Sequence, residues 1–274
     1  MASFDGQVIL ITGASAGIGA ALAREFAREG AAVALAARRV DRLEALASEI
    51  RRQGRRAIAI GCDVTRDGDL ERAVETTRGA LGKIDVLVAN AGFGVVGNLE
   101  TLALDDYRRQ LETNVFGVLR TIYAGLEDLK KTRGRLVIIG SVSGHLGLPG
   151  SSPYAMSKFA VRALAQSLGF ELSPAGVSVT LISPGFVESE LRQVDNRGVL
   201  HPEREDGAPP WFVMSTARAA RQIVAAAAAR RRETVITTHG KFAVLLQRLA
   251  PWLLVWGVRR FGVRGRPEPK RRDH

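Results

Sequence analysis

The sequence predicts an α/β fold in which one parallel sheet of about seven strands carries helices on both faces. Seven short apolar runs recur along the 274 residues, and segments with helical spacing lie between them. Most runs are continuously apolar rather than alternating, as expected for strands buried on both faces. Strand–helix–strand repeats of this kind build doubly wound parallel sheets.

The predicted strands read, in chain order, QVILIT, AAVALAA, RAIAIG, IDVLVA, RLVIIG, VSVTLIS and ETVITT. Two predicted helices, GIGAALAREFAREG and DRLEALASEIRRQG, each end on glycine, which is a helix stop signal. No low-complexity stretch or clear linker precedes residue 186. Residues 1–240 are therefore predicted to form a single domain.

Two segments do not follow the alternation of predicted strands and helices. Residues 186–215 are polar, contain three prolines and lie between a strand and a helix, so they are expected to form a mobile lid over a substrate site. Residues 241–274 form a C-terminal extension that is first rich in leucine and tryptophan and then basic.

Composition and charge narrow the functional classes. The apolar fraction of 46% indicates an ordinary globular protein, and the single cysteine, Cys62, excludes an internal disulfide. The N-terminus lacks the basic region of a signal peptide, so a reducing, cytoplasmic setting is expected. The net charge of +11 is concentrated at one end, because residues 230–274 hold twelve Lys/Arg against three Asp/Glu. The body is nearly neutral, and nucleic acid is not the expected partner.

A glycine-rich turn follows the first predicted strand. Gly13, Gly17 and Gly19 lie between this strand and the start of a helix in ITGASAGIGAALAREFA. Glycine permits a tight turn and a close backbone approach, and the unpaired N–H groups of a helix N-terminus attract anions. A turn that serves packing alone is the alternative. The context of strand, turn and helix favours a dinucleotide phosphate site and a Rossmann-like fold.

The end of the second strand indicates which dinucleotide is bound. An acidic residue there would bind the ribose 2′-hydroxyl of NAD, but Ala37 stands at this position and is followed by Arg38 and Arg39. Two cations without a carboxylate favour the 2′-phosphate of NADP(H), with Arg38 as the stronger candidate for the contact. The alternative is that both arginines begin a solvated helix.

A tyrosine and a lysine lie one helical turn apart in YAMSK. Tyr154 and Lys158 therefore share a helix face. Free tyrosine has a pKa of about 10, and a nearby ammonium group lowers it by favouring the phenolate. Tyr154 could thus act as a general acid or base. Taken alone, the pair could equally be a chance arrangement on an exposed helix.

The motif spacing T-G-x-x-x-G-x-G resembles that of the short-chain dehydrogenase/reductase family, and the resemblance covers roughly residues 5–240. TGASAGIG, CDVT, ANAG, LETNVFG, IIGSVSG, YAMSK and SPGFVES follow one another at the family spacing. Two departures are mild: Ala89 replaces a common Asn, and Ser189 replaces the usual Thr. The resemblance implies a catalytic set of Asn114, Ser141, Tyr154 and Lys158. It implies a cofactor set of Gly13, Ser15, Gly17, Ile18, Gly19, Arg38, Arg39, Asp63, Val64, Asn90, Ala91, Gly92, Tyr154, Lys158, Pro184, Gly185, Val187 and Ser189.

The roles of these residues follow from the resemblance. A hydride passes between the nicotinamide and a carbonyl carbon while Tyr154 handles the proton of the oxygen. Lys158 also holds the nicotinamide ribose, Ser141 hydrogen-bonds the substrate oxygen, and Asn114 lies further back with a water of a proton relay. No metal is expected, and the four histidines, including His145 and His201, are expected in surface or loop positions.

Two rival functions remain. A non-catalytic NADP-binding sensor or scaffold could use the same fold, although it would not need the full catalytic set. An epimerase or dehydratase could do so as well, although such relatives tend to be longer. The substrate is a small carbonyl or alcohol, and the apolar extension together with Trp211 and Phe212 suggests a lipid- or steroid-like one.

The sequence leaves several alternatives for what the C-terminal extension contacts. Leu245, Leu249, Trp252 and Trp256 recur at helical spacing beside basic residues, which suits a helix lying on a membrane surface. Packing on the core or on another subunit, and a short membrane span, are the alternatives. The resemblance implies a homo-oligomer, a dimer or tetramer, that uses helices near residues 103–130 and 154–172, with Phe159, Leu164 and Leu168 available for packing.

Overall fold

The structure is a computed structural model that describes residues 3–190, 193–201 and 210–261. Within these residues, seven parallel strands form one sheet in the order β3-β2-β1-β4-β5-β6-β7. The strands are β1 (Val8–Thr12), β2 (Ala32–Ala37), β3 (Ala57–Gly61), β4 (Val86–Ala89), β5 (Arg135–Ile139), β6 (Ser178–Ser183) and β7 (Glu233–Val235). Each lies within one of the seven apolar runs, so the predicted fold class is confirmed.

Helices cover both faces of the sheet. They are α1 (Gly17–Arg28), α2 (Val40–Arg52), α3 (Asp69–Ala80), α4 (Leu104–Leu111), α5 (Gly117–Thr132), α6 (Ser152–Glu171), α7 (Thr216–Ala228), α8 (Thr238–Leu249) and α9 (Pro251–Phe261). Because strand side chains alternate, Ile9 and Ile11 of β1 pack with α1, α2 and α7, whereas Leu10 packs with α3, α5 and α6. The core therefore consists of two apolar layers, one on each side of the sheet.

The strand order reverses between β1 and β4. Ile9 of β1 pairs with Val33 of β2 on one side and with Val86 of β4 on the other. Loops leaving the carboxyl ends of β1 and β4 therefore turn to opposite faces and leave a crevice between them. Open α/β sheets bind ligands at this switch point.

A short π-helical turn, Glu112–Phe116, separates α4 from α5. Such turns insert a residue into an α-helix and are frequent at functional sites. Asn114, at the centre of this turn, is buried.

The described parts of residues 186–215 are tied to the body at several points. Val187 forms a parallel bridge with Met214, and Val194 forms an antiparallel bridge with Leu200. Asn196 Oδ1 accepts from Val96 N at 3.0 Å, and Asn196 Nδ2 donates to Val96 O at 2.8 Å. The small hairpin around Asn196 is thus docked against the loop that follows β4. Its motion remains a prediction.

The C-terminal helices α8 and α9 follow β7. Val244 of α8 is buried, and a Cβ at Gly240 would lie 2.8 Å from Val142 Cγ2, so α8 packs closely on the turn after β5. The expected domain boundary at residue 240 lies within α8. Beyond this contact, exposed apolar side chains accumulate at Phe242, Leu245, Leu249, Trp252 and Trp256.

The lengths and composition of the helices bear on whether the chain could span a membrane. Among the described residues, no single helix is long and apolar enough to cross a bilayer. Thr238–Leu249 and Pro251–Arg260 meet the length and composition requirement together, but the chain bends by 116° between them. The basic end of the extension, residues 262–274, lies outside the described residues.

Candidate active site

A cleft of about 780 Å³ opens at the carboxyl ends of the strands, at the switch point between β1 and β4. Every residue predicted to catalyse or to bind the cofactor lines this cleft, with the exception of Asn114, which is buried behind Gly92. The sheet thus brings together residues from the ends of β1, β2, β3, β4, β5 and β6, and α6 adds Tyr154 and Lys158.

The glycine turn forms the floor of the cleft. Gly13 has φ +67°, and a Cβ there would lie 2.8 Å from the backbone Cα of Ala91. Gly17 has φ +53° and begins α1. Ala16 precedes the helix and has no side-chain atom that could cap its N–H groups, and the first turn carries no acidic residue. The N-terminus of α1 is therefore suited to an anion, and the cleft is large enough for a dinucleotide.

Asn90 and Thr12 fix the glycine turn to β4. Asn90 Nδ2 donates to the carbonyl oxygens of Thr12 at 2.9 Å and of Gly13 at 3.1 Å. Thr12 Oγ1 accepts from Asn90 N at 3.1 Å and donates to Val88 O at 3.2 Å. Both Nδ2 hydrogens of Asn90 are used, so its side chain positions the turn.

The two arginines after β2 differ in their surroundings. Arg38 is exposed at the rim and makes no hydrogen bond or ion pair with any residue in the described part of the chain. Arg39 donates through Nε and Nη2 to Ser15 Oγ at 3.2 and 3.1 Å, and its Nη1 lies 2.7 Å from Glu190 Oε2. Arg38 is thus available to a ligand, whereas Arg39 is already held between the glycine turn and Glu190.

Asp63 lies at the neighbouring rim of the cleft, after β3. Its Oδ1 accepts from Thr65 N at 3.0 Å and from Thr65 Oγ1 at 2.8 Å, and its own N–H donates to Asp69 Oδ2 at 2.8 Å. These bonds shape the turn that precedes α3. Val64 is buried beside it, against Gly117 of α5.

Tyr154 and Lys158 lie one turn apart on α6, as predicted. Lys158 Nζ lies 5.6 Å from the centroid of the Tyr154 ring and donates to Ile139 O at 2.9 Å. Burial lowers the pKa of Lys158 to about 8. A cation held this deeply beside a phenol stabilises negative charge on the phenol oxygen.

Ser141 follows β5 and begins a short 3₁₀ turn, Val142–Gly144. Its Oγ accepts from Ser143 N at 3.1 Å, and Val142 N donates to Pro184 O at 2.9 Å. The turn carrying Ser141 is therefore bonded to the Pro184–Gly185 turn after β6. A Cβ at Gly185 would lie 2.3 Å from Thr237 Oγ1, so a larger residue cannot replace this glycine without a shift.

Asn114 joins the loop after β4 to α6. Its Oδ1 accepts from Phe93 N at 3.1 Å, and its Nδ2 donates to Phe93 O at 3.0 Å and to Ser157 Oγ at 3.1 Å. Both Nδ2 hydrogens are used, so a water held by this side chain would have to donate to Oδ1.

His145 was expected in a surface or loop position. It lies in the turn that follows the 3₁₀ helix, which agrees with a loop position, but its side chain is buried. Its Nε2 lies 3.0 Å from Ser183 Oγ and 3.2 Å from Glu233 Oε1, and burial lowers its pKa to about 4. The ring is therefore neutral at pH 7 and acts as a packed, hydrogen-bonded core residue.

Sequence reasoning missed several residues that build the site. Thr12, Phe93 and Ser157 hold predicted residues in place, and Glu190, which lines the cleft, is bonded to Arg42. Their contacts join segments far apart in the chain, which no local pattern reveals. Among residues 3–190, 193–201 and 210–261, no group of three or more His, Cys, Asp or Glu side chains is placed to hold a metal ion.

Comparisons with known proteins agree with this geometry. The family model for short chain dehydrogenases matches residues 7–199. The chain is 34% identical over 264 residues to 11-beta-hydroxysteroid dehydrogenase 1A of Arabidopsis thaliana, covering 93% of this chain and 75% of that protein. An uncharacterized oxidoreductase of Myxococcus xanthus is 38% identical over 198 residues, covering 72% and 78% of the two chains.

Solved structures show the same relationship. A short chain dehydrogenase/reductase from Burkholderia phymatum in complex with NAD matches with a TM-score of 0.81 and 26% identity, over 93% of this chain and 97% of that one. An alcohol dehydrogenase from Thermococcus sibiricus complexed with 5-hydroxy-NADP matches with a TM-score of 0.73 and 31% identity, over 85% and 96%. The chain belongs to the short-chain dehydrogenase family and is an oxidoreductase that uses a nicotinamide dinucleotide and acts on CH–OH groups.

Proposed function

We propose that the protein is an NADP(H)-dependent oxidoreductase that interconverts a carbonyl and a secondary alcohol on a lipophilic substrate. One observation carries the proposal. The same cleft has the Tyr154–Lys158 pair and Ser141 at one end and two arginines without a strand-end carboxylate at the other. The first group suits proton transfer at an oxygen, and the second suits a phosphate ester.

The chain offers a holding group for each part of the cofactor. The uncapped N-terminus of α1 and the glycine turn would hold the pyrophosphate, Arg38 and Arg39 the 2′-phosphate, and Asp63 and Val64 the adenine. The nicotinamide half would be held by Asn90, Ala91, Gly92, Pro184, Gly185, Val187 and Ser189, which line the cleft. When bound, the cofactor donates or accepts the hydride at the carbonyl carbon.

The proton is handled by protein side chains. Tyr154 donates its hydroxyl proton to the oxygen that gains charge when hydride arrives, and it takes a proton back in the reverse direction. Lys158 favours the phenolate that this leaves, and it also serves the nicotinamide ribose. Ser141 orients the substrate oxygen by a hydrogen bond. Asn114 lies behind the cleft and positions a water molecule, and Tyr154 regains its proton through this water.

Tyr154→Phe is the decisive test of this mechanism. The ring remains and the fold should survive, while turnover falls by roughly a hundredfold to ten-thousandfold, a typical contribution of general acid–base catalysis. NADPH affinity should change little. Tyr107→Phe is a matched control, because Tyr107 bonds Ser152 Oγ at an exposed position on α4. A Tyr154→Phe enzyme with near-normal turnover would contradict the mechanism and favour the sensor alternative.

Cofactor preference should depend on Arg38. We expect NADPH to bind at least tenfold more tightly than NADH, which corresponds to about 1.4 kcal/mol. Arg38→Asp should narrow or reverse this difference, because it replaces the exposed cation at the rim with an anion. Equal affinity of the unmodified protein for both cofactors, measured by titration calorimetry, would refute the preference for NADP(H).

The lipophilic substrate is suggested by an aromatic cluster next to the Pro184–Gly185 turn, which lines the cleft. The rings of Phe186 and Phe212 have centroids 5.3 Å apart, and His239 stacks on Phe212 at 4.0 Å. Trp211, beside them, is 84% exposed. Relatives include proteins named as hydroxysteroid dehydrogenases. Oxidation of NADPH with a panel of ketones should be fastest for bulky apolar substrates, and a preference for small polar ones would contradict this.

We also propose that α8 and α9 attach the enzyme to a membrane surface. Leu249 and Trp252 are more than two-thirds exposed, and Arg259 and Arg260 follow on α9. Anionic lipid attracts basic residues near its surface with about 1 kcal/mol each, and apolar side chains enter the interface. Packing against a second subunit is the alternative.

The membrane proposal is testable without unfolding the protein. Removal of residues 251–274 leaves α8 and its buried Val244 in place, so cofactor binding should persist while sedimentation with phosphatidylserine vesicles is lost. A Leu249→Ser/Trp252→Ser double variant should behave similarly. Phe170→Ser removes an equally exposed apolar residue from α6 and should retain vesicle binding. Full-length protein that ignores these vesicles at low salt would refute the proposal.

Finally, we propose a homo-oligomer, a dimer or tetramer, built on α4, α5 and α6. Apolar side chains are exposed at Phe116 in the π-helical turn before α5, at Tyr123 on α5 and at Phe159 on α6. Leu164 and Leu168, expected to be available for the interface, are instead partly buried against the core. Phe159 is thus the better probe of subunit contact.

A further inference from the structure

Glu190 reaches across the cleft to two arginines of the opposite wall. It lies just after Ser189, in the segment that follows β6. Its Oε2 is 2.7 Å from Arg39 Nη1, and its Oε1 is 2.6 Å from Arg42 Nη1. Each carboxylate oxygen therefore meets one guanidinium group at the start of α2, and these groups hold the pKa of Glu190 below its usual value against the opposing effect of burial.

The ion pair between Glu190 and the two arginines is important because of where it lies in the cleft, not because of its strength. Arg39 is also bonded through Nε and Nη2 to Ser15 of the glycine turn, so its guanidinium is fixed at the edge of the phosphate site. Glu190 itself lines the cleft together with Arg38 and Arg39. The three side chains of the ion pair are each between 33% and 39% exposed, and ion pairs that water reaches this well are weak and readily exchanged.

We propose that Glu190 lowers the selectivity of the enzyme for NADP(H) over NAD(H) by occupying, in the cofactor-free enzyme, the cationic site that receives the 2′-phosphate of NADP(H). This inference rests on the proposed use of NADP(H). A phosphate ester has the charge and acceptor oxygens that Arg39 and Arg42 require, and it displaces the carboxylate from them. NADH carries no group that competes for these arginines, so Glu190 keeps its ion pairs when NADH binds.

Arg42 thus belongs to the phosphate site, and Glu190 weakens the binding of NADP(H) there. When an internal anion occupies a site for most of the time, the apparent affinity for the ligand equals the intrinsic affinity multiplied by the fraction of protein in which the site is free. Removing the charge of Glu190 should therefore tighten the binding of NADPH and leave NADH almost unchanged. If Glu190 instead held the bound dinucleotide in place, removing its charge would weaken the binding of both cofactors.

The test is a comparison of dissociation constants by titration calorimetry, for unmodified protein and for Glu190→Gln, each with NADPH and NADH. We expect Glu190→Gln to bind NADPH about fivefold more tightly, with less than a twofold change for NADH. The fragments 2′,5′-ADP and 5′-AMP should repeat the difference without the nicotinamide. Glu188→Gln is the matched control, since Glu188 lies two residues earlier and accepts from Thr216 N, away from the arginines.

The possible results distinguish the role of Glu190 from the proposed preference for NADP(H). Equal binding of NADPH and NADH to the unmodified protein refutes the preference for NADP(H), whereas the change caused by Glu190→Gln is read within each cofactor. Unchanged or weaker binding of NADPH to Glu190→Gln overturns the role of Glu190, as does equal tightening of both cofactors. Tightening in Glu188→Gln as well would show a general charge effect and would overturn it too.

Discussion

Asn114→Ala should destabilise the fold by about 2–5 kcal/mol, and this figure is the sum of the costs of the hydrogen bonds that the side chain makes. Asn114 makes three bonds, two to the backbone of Phe93 and one to Ser157. After its removal, Phe93 O still accepts from Gln110 Nε2, and Ser157 Oγ still donates to Tyr154 O. Phe93 N–H loses its partner, which costs about 1–3 kcal/mol, and the other two bonds add about 0.5–1 kcal/mol each.

The assay is urea denaturation followed by circular dichroism, with Asn196→Ala as control. Asn196 also makes a paired contact with one backbone unit, Val96, but it lies at a partly exposed position where water can replace the lost bonds. We expect the control to cost less than about 1 kcal/mol. A loss below 1 kcal/mol for Asn114→Ala, or equal losses for both variants, would refute the argument that burial makes these bonds important.

Three further predictions follow from the described contacts. Gly19→Ala should abolish cofactor binding, because its Cβ would lie 2.4 Å from Gly13 O. Gly79→Ala in α3 is the control, because its Cβ would have nothing within 4 Å. This variant should bind the cofactor normally, and its free energy of unfolding should rise by up to about 1 kcal/mol. The pKa of Lys158 is about 8 in the folded protein against about 10.4 unfolded, so the unfolded state binds more protons between these values and stability rises with pH there. Relative to Lys158→Met, the unmodified protein should gain roughly 2 kcal/mol between pH 7 and 9.5 in denaturation curves, and a flat difference would contradict the burial of the cation. Phe159→Asp should convert the proposed oligomer to a monomer, as measured by light scattering; an unchanged mass would exclude this face of α6 from the subunit contact.

The fold was predictable because its signals are local. Continuous apolar runs and glycine stops mark the strands and helices directly, and the seven runs correspond to the seven strands found. The same holds for the cleft, since loops at the carboxyl ends of parallel strands must gather at one edge of the sheet. Tyr154 and Lys158 are placed by helical spacing alone. These features need no knowledge of contacts between distant segments.

The remaining features depend on tertiary contacts. Glu190 and Arg39 are 151 positions apart, and nothing in either neighbourhood indicates their ion pair. His145 lies in a loop as predicted, but its burial was not predictable, because Ser183 and Glu233 of adjacent strands surround it. Leu164 looked available for a subunit contact, but α6 turns it toward the core. In each case the deciding partner comes from another part of the chain.

The bridge between Val187 and Met214 also has a consequence for protein engineering. Because Val187 and Met214 are bridged, both ends of the loop segment between them are fixed by the scaffold. Doubling the length of such a loop costs only about 0.6 kcal/mol in closure entropy. The stretch after Glu190 could therefore be exchanged for longer or shorter sequences to alter substrate range, as a cassette that leaves the sheet and its catalytic side chains intact.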